Sequence, residues 1–320
     1  KWQNTISYNV GVDMTLLKGL VVFNGDFYVK DTENLLLPLT VAPSTGFNSY
    51  VENIGKLRNT GLEGRLRLNL IKDSQRDLRW NVTLSAFHNK SKITKLSNQL
   101  EEINKYANND FYNKGTVVYR QYEAGRSQTA LMVVQSGGID PATGNEIYIK
   151  RNGELTFEYD ANDKVKCGDL KPTIEGNVNT NLTWKGFTLY MLFKYQFGAK
   201  AYNGTLASKV EGANPYRNAD KRVLYDRWKE PGDHAKFRRI DDRTSPYQTT
   251  RLVFDNDLFS LSSVSLSYEL PREISQKIYA DRVRLMLSTT DVFRLSTIKQ
   301  ERGTSYPFAR TFNLSLNVTF

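Results

Sequence analysis

Side chains able to do covalent or metal chemistry are scarce in this sequence. Its 320 residues include two histidines, His88 and His234, and one cysteine, Cys167. Neither histidine sits beside a nucleophile or in a metal-ligand spacing. One cysteine can form neither an intrachain disulfide nor a thiolate zinc site. His88 closes an alternating segment and His234 follows Pro231-Gly232-Asp233, positions that suit solvated or capped rings. Asp160-Ala161-Asn162-Asp163 has part of a calcium-loop spacing, but no bidentate glutamate follows at the required distance, so a polar turn is expected. The sequence thus predicts no catalytic residue, no metal and no cofactor.

Binding chemistry remains. Glu63, Arg65 and Arg67 fall on alternate positions, as do Arg282 and Arg284, so each set leaves one face of an extended chain. These groups could touch a polar solute, meet another segment of the protein or pair across strands; the last two are favoured. Phe111, Tyr112, Tyr119, Tyr122, Tyr202, Tyr216 and Tyr247 lie in irregular segments, where they could stack on sugars or pack between loops or against a partner. Arg227-Trp228 with Pro231-Gly232 is expected to fix a loop fold, since Trp buries a large area and Pro-Gly enforces a turn. The net charge of +10 comes from cations scattered among 34 acidic residues, which argues against nucleic acid.

Strands must position these groups. In the last twelve residues Phe312, Leu314, Leu316, Val318 and Phe320 share one parity, and Thr311, Asn313, Ser315, Asn317 and Thr319 the other. One face is apolar and the other uncharged and polar, the dyad pattern of a transmembrane β-strand with lipid outside and water inside. The pattern recurs at Trp2–Val12, 21–30, 62–70, 78–86, 174–184, 187–197, 263–270 and 282–287, with a phase slip near Ser262 that suggests a bulge. A mean hydropathy of −0.52, with no run of 18 apolar residues, excludes helical membrane spans but not a barrel. Aromatics reach 12% of the chain, and Trp184 and Phe187 flank the Lys185-Gly186 turn as an interfacial girdle would.

Connections near 16–19, 72–77, 185–186 and 271–279 are short, whereas 31–56, 89–171, 199–256 and 295–308 are long. Within 89–171 the pattern offers a short helix at Glu101–Ala107, a short strand at Thr129–Gln135 and a turn-rich stretch from Gly138 to Gly144. Short turns in the periplasm and long loops outside are the bacterial barrel arrangement, which places Phe320 in the periplasm. The expectation is all-β: a transmembrane antiparallel β-barrel, of which about nine strands are visible, with long extracellular loops. Lys1-Trp2-Gln3 opens directly in a strand pattern without a signal peptide, so residues 1–320 read as the C-terminal portion of one barrel domain. Closure with an even strand number needs an odd number of strands before Lys1.

Several stretches together resemble the SusC-like (SusC/RagA) TonB-dependent outer-membrane receptors. They are Asn53-Ile54-Gly55 with Asn59-Thr60-Gly61-Leu62-Glu63, the segments 138–144 and 225–233, Leu261 to Pro271, and Ser305 to Phe312. The resemblance implies a 22-strand barrel with an N-terminal plug, energised through TonB, the plug and the first strands lying outside this sequence. It implies a SusD-like surface lipoprotein that closes over the barrel as a lid, and it allows a dimer of importer–lid pairs. Phe312 to Phe320 resembles the C-terminal assembly signal of outer-membrane barrels. The function implied is active uptake of an oligomeric nutrient, a glycan first and a peptide second. A passive porin and a soluble carbohydrate-binding β-sandwich are the alternatives, and an enzyme ranks last because catalytic residues are missing.

Overall fold

The computed structural model describes residues 2–40, 49–53, 55–98, 101, 104–105, 108, 113–114, 118, 121–214, 216–298 and 309–320. Its strands begin with β1 (Asn4–Leu16), β2 (Val21–Glu33), β3 (Leu36–Thr40), β4 (Ser49–Asn53), β5 (Gly55–Asp73) and β6 (Leu78–Leu96). Then come β7 (Ala130–Ile139), β8 (Glu146–Ile149), β9 (Leu155–Thr156), β10 (Lys164–Asp169), β11 (Ile174–Trp184) and β12 (Phe187–Phe197). The last are β13 (Lys200–Tyr202), β14 (Val253–Asp255), β15 (Leu258–Glu269), β16 (Arg282–Ser296) and β17 (Phe312–Thr319).

Nine strands form one antiparallel sheet in the order β1-β2-β5-β6-β11-β12-β15-β16-β17. These are the nine the alternation predicts, several of them longer: β5 and β6 have 19 residues each. At about 3.3 Å per residue they exceed the 9–11 residues that span a bilayer, so their long-loop ends project beyond it. Trp184 pairs with Phe187 across a two-residue turn in which Lys185 and Gly186 both have positive φ, the form whose twist matches the flanking strands. Registers slip at Leu192/Phe193 against β15 and at Leu261/Ser263 against β16, so Ser262 is a bulge and both apolar sets of β15 keep one side.

Among the described residues most of the apolar parity is left uncovered, Leu261 and Val283 being buried exceptions. Phe312, Leu314 and Leu316 are 70%, 71% and 65% exposed, which excludes a second sheet over β17 and thus the soluble sandwich. One polar group on this side is satisfied locally: Tyr195 lies over Gly176, where a Cβ would sit 2.7 Å from its hydroxyl, and donates to the Ser85 carbonyl at 2.9 Å. Among the described residues no helix is long and apolar enough to cross a membrane.

The excursion between β6 and β11 is not irregular throughout. It holds a four-stranded sheet, β10-β7-β8-β9, whose β7 carries Leu131, Met132, Val133 and Val134, all almost fully buried. A second core of Ala207, Val210, Phe237 and Leu252 lies in the excursion between β12 and β15. Asn104 and Lys105 are helical, in keeping with the expected short helix, most of which lies outside the described residues.

Candidate functional site

Cross-strand register carries the polar parity round the sheet as continuous rows, because directly opposed residues share a face. Asn69, Asn81, Asn181, Tyr190, Ser265, Ser288 and Asn313 form a seven-strand row without a charge. Nearer the long-loop end, Asn24, Arg65, Ser85, Asn177, Lys194, Ser260 and Arg294 form another. The next row brings the carboxylates of Asp26, Glu63 and Glu175 around Phe87. These rows enclose a recess of about 390 Å³ lined by Asn24, Asp26, Glu63, Arg65, Phe87 and Asn177. It offers carboxylates, a guanidinium, carboxamides and one aromatic ring to a polar solute.

All five charged candidates lie on this face. Glu63 and Arg65 line the recess, and Arg67 donates to Asn69 Oδ1 at 3.1 Å. Arg282 and Arg284 sit at the short-turn end, where both pair with Glu269 of β15 at 2.8 and 2.9 Å.

The aromatic candidates divide differently. Phe111, Tyr112 and Tyr119 lie outside the described residues. Tyr122 is buried against Leu57 and Ile93, with its backbone N–H and C=O both held by the Asn104 carboxamide. Leu57 and Ile93 share the inner parity, so this loop folds over the inner wall at the mouth. Tyr202 packs on the Ala207–Leu252 core, and burial pushes its hydroxyl well above the usual phenol range. Tyr247 stacks on Tyr159 at 4.0 Å, with Lys114 Nζ 4.7 Å from its ring. Tyr216 alone among the described candidates is open to solvent, its hydroxyl accepting from Arg243 at 2.7 Å.

Packing in the loops explains two motifs. Trp228 lies over Gly144, donates from Nε1 to the Pro141 carbonyl at 2.9 Å, and Gly232 N–H reaches the same carbonyl at 2.8 Å. Gly144 has φ +73 and a Cβ there would sit 2.5 Å from the indole, so the segments 138–144 and 225–233 are two halves of one contact. Buried Arg227 donates to the Arg238 carbonyl at 2.9 Å and the Glu211 carbonyl at 3.1 Å.

Sequence reasoning missed the ion network beside it. Glu146 and Glu211 are nearly fully buried and both meet Arg251, at 3.0 and 2.5 Å; Glu211 also takes Arg238 at 2.7 Å, and Thr249 donates to Glu146 at 2.6 Å. Burial opposes the charge of Arg251, but the two carboxylates more than offset it and hold the guanidinium protonated. The network joins β8 to the 199–256 excursion. The paired residues stand between 27 and 105 positions apart, and no short spacing signals them.

The expected non-catalytic groups have ordinary roles. Asp160 accepts from Asn162 N–H and Asp163 from Arg151 N–H, as a polar turn does. Cys167 donates to the Leu131 carbonyl, and burial pushes its thiol up to about 11, far from a reactive thiolate. Among the described residues no group of three or more His, Cys, Asp or Glu could hold a metal ion.

No family model matches the chain. It is 25% identical over 356 aligned residues to the TonB-dependent receptor P3 of Formosa agariphila, covering all of this chain and 34% of that protein. It is 23% identical over 272 residues to the TonB-dependent receptor SusC of Bacteroides thetaiotaomicron, covering 79% of this chain and 26% of SusC. The structure of the RagAB peptide importer in its open-open state superposes with a TM-score of 0.78 at 20% identity, over the whole of this chain and 35% of that one. The chain thus spans between about a quarter and a third of the length of these curated relatives, which are named as receptors, not enzymes. In sequence the chain is similar to TonB-dependent receptors, SusC among them, and its fold is that of part of a TonB-dependent transporter barrel.

Proposed function

We propose that this chain forms the C-terminal part of the barrel of a TonB-dependent outer-membrane importer of oligomeric nutrients. The observation that carries the reading is the continuous polar inner wall opposite an unpacked apolar outer face. The sheet pairs β1 and β17 on one side only, so closure calls for further strands, which the rest of a 22-strand barrel supplies around its plug. Short turns gather at one end and long excursions at the other, which favours a periplasmic C-terminus.

Solute is caught under a SusD-like lipoprotein lid, passes the loops and meets the recess at Glu63 and Arg65. TonB acts through the plug. Glycans are the first substrate class, because the seven-strand row of amides and hydroxyls can exchange hydrogen bonds with neutral sugar hydroxyls. Packing of Tyr122, Tyr202 and Tyr247 into the loops leaves hydrogen bonding, rather than stacking on these rings, as the basis of recognition. The test is uptake of labelled oligosaccharides and peptides by cells with and without TonB. Oligosaccharide uptake that disappears without TonB supports the proposal. Uptake that persists makes the protein a passive porin, and uptake of peptides alone overturns the substrate class. Failure of the full-length receptor to retain a lipoprotein from native membranes would remove the lid.

A further inference from the structure

The outward face carries charge in one place that membrane spanning does not explain. On β6 the outward positions run Trp80, Val82, Leu84, Ala86 and then His88, Lys90, Lys92 and Lys95. On β5 they run Leu66, Gly64, Leu62 and then Thr60, Arg58 and Lys56. Apolar side chains therefore give way to cations at the same level on two adjacent strands, where acyl chains end and headgroups begin.

Register sharpens the point. Arg58 stands directly opposite Lys92, and Lys56 directly opposite Lys95. Like charges in direct opposition destabilise a sheet, and two such pairs lie stacked here on one face. The neighbouring β2 offers two carboxylates: Asp31 takes Arg58 in two hydrogen bonds of 2.7 and 2.9 Å, and Glu33 takes Lys56. Lys90, Lys92 and Lys95 are exposed and form no ion pair among the described residues. Five cations thus face two acids at the lipid boundary.

We propose that this outward face of β5 and β6 binds the phosphate of an anionic outer-leaflet lipid, whose acyl chains lie along Leu62, Leu66 and Leu84. A phosphate between the opposed cations replaces their repulsion with charge-assisted hydrogen bonds. Free phosphate would gain the charge contacts but not the apolar contact below them. The assignment to the outer leaflet rests on the orientation given under the proposed function; the anion site itself does not.

The experiment uses the purified full-length receptor and measures retention of diphosphoryl lipid A by native mass spectrometry. Lys92→Gln with Lys95→Gln is expected to weaken retention about thirtyfold, from about 1 kcal/mol per near-surface cation. Lys92→Arg with Lys95→Arg keeps it, which separates lost charge from lost folding. Lys18→Gln with Lys277→Gln, at the short-turn end, leaves it unchanged. Equal retention by the glutamine variant and the parent overturns the site, as does equally tight binding of lipid A stripped of its phosphates. Displacement by an equal concentration of inorganic phosphate overturns the lipid as ligand. In whole cells, Lys95→Cys in a Cys167→Ser background should react with a membrane-impermeant maleimide. Absence of labelling overturns the orientation and the leaflet, while the binding measurement stands apart.

Discussion

The nine-stranded wall and the loop body above it are held together by opposite means. The wall has ladder hydrogen bonds, a water-facing side and a lipid-facing side, and its apolar residues remain exposed until a bilayer covers them. The loop body has a conventional interior: Leu131 to Val134, Val210 and Leu252 are almost fully buried, and charges are buried beside them. One region takes its stability from the surrounding solvent, the other from itself. Changes that ruin one should therefore spare the other.

The largest separation is expected at Arg251. Arg251→Met leaves Glu146 short of a partner and Glu211 with Arg238 alone, a loss of about 3–5 kcal/mol for breaking a buried pair. Protease should then nick the loops of an otherwise intact receptor, while heat-modifiable migration on gels still reports a folded barrel. If loops and wall unfold together, the two regions are one cooperative unit and the comparison fails. The reverse experiment is Leu84→Arg on the outward face, costing about 2–4 kcal/mol near mid-bilayer. It should reduce folded barrel in the membrane, whereas Asn177→Arg on the inner face should not.

A smaller effect is expected at Gly144→Ala, which forces a positive φ on alanine and presses its Cβ into Trp228. About 1–3 kcal/mol of loop stability should go, seen as faster nicking with no change in the wall. The mildest perturbation is one of pH, at Lys164 in β10. Burial lowers its ammonium from 10.5 to about 8, so unfolded loops keep a proton that folded loops release between those values. Loop stability should therefore rise gradually with pH from about 8 to about 10.5, by at most about 3 kcal/mol over the whole interval. Lys164→Met should flatten that rise, read as the pH dependence of the nicking rate.

Legibility followed the same division. Every wall strand was readable because two environments impose a period of two on its residues, and the short turns separated them. Even the slip at Ser262 was visible as a break in alternation. The loop body imposes no period: Ala130 to Val134 is buried on both faces, so its sequence reads as one short apolar run. Glu146, Glu211, Arg238 and Arg251 meet only through tertiary folding, and each alone reads as an ordinary surface charge. Of the recess, Glu63 and Arg65 were predictable from parity; Asp26 and Phe87 joined them only once register was known.

The bulge at Ser262 also has a consequence for how this strand can change. In a regularly paired stretch of the wall, losing one residue would turn every following side chain over and present polar groups to the acyl chains. Here the extra serine is the sole member of β15 without an assigned side, and Phe259, Leu261, Val264 and Leu266 would still point the same way after its loss. The wall thus contains a point where its inside–outside frame tolerates a single-residue edit without rewriting a face.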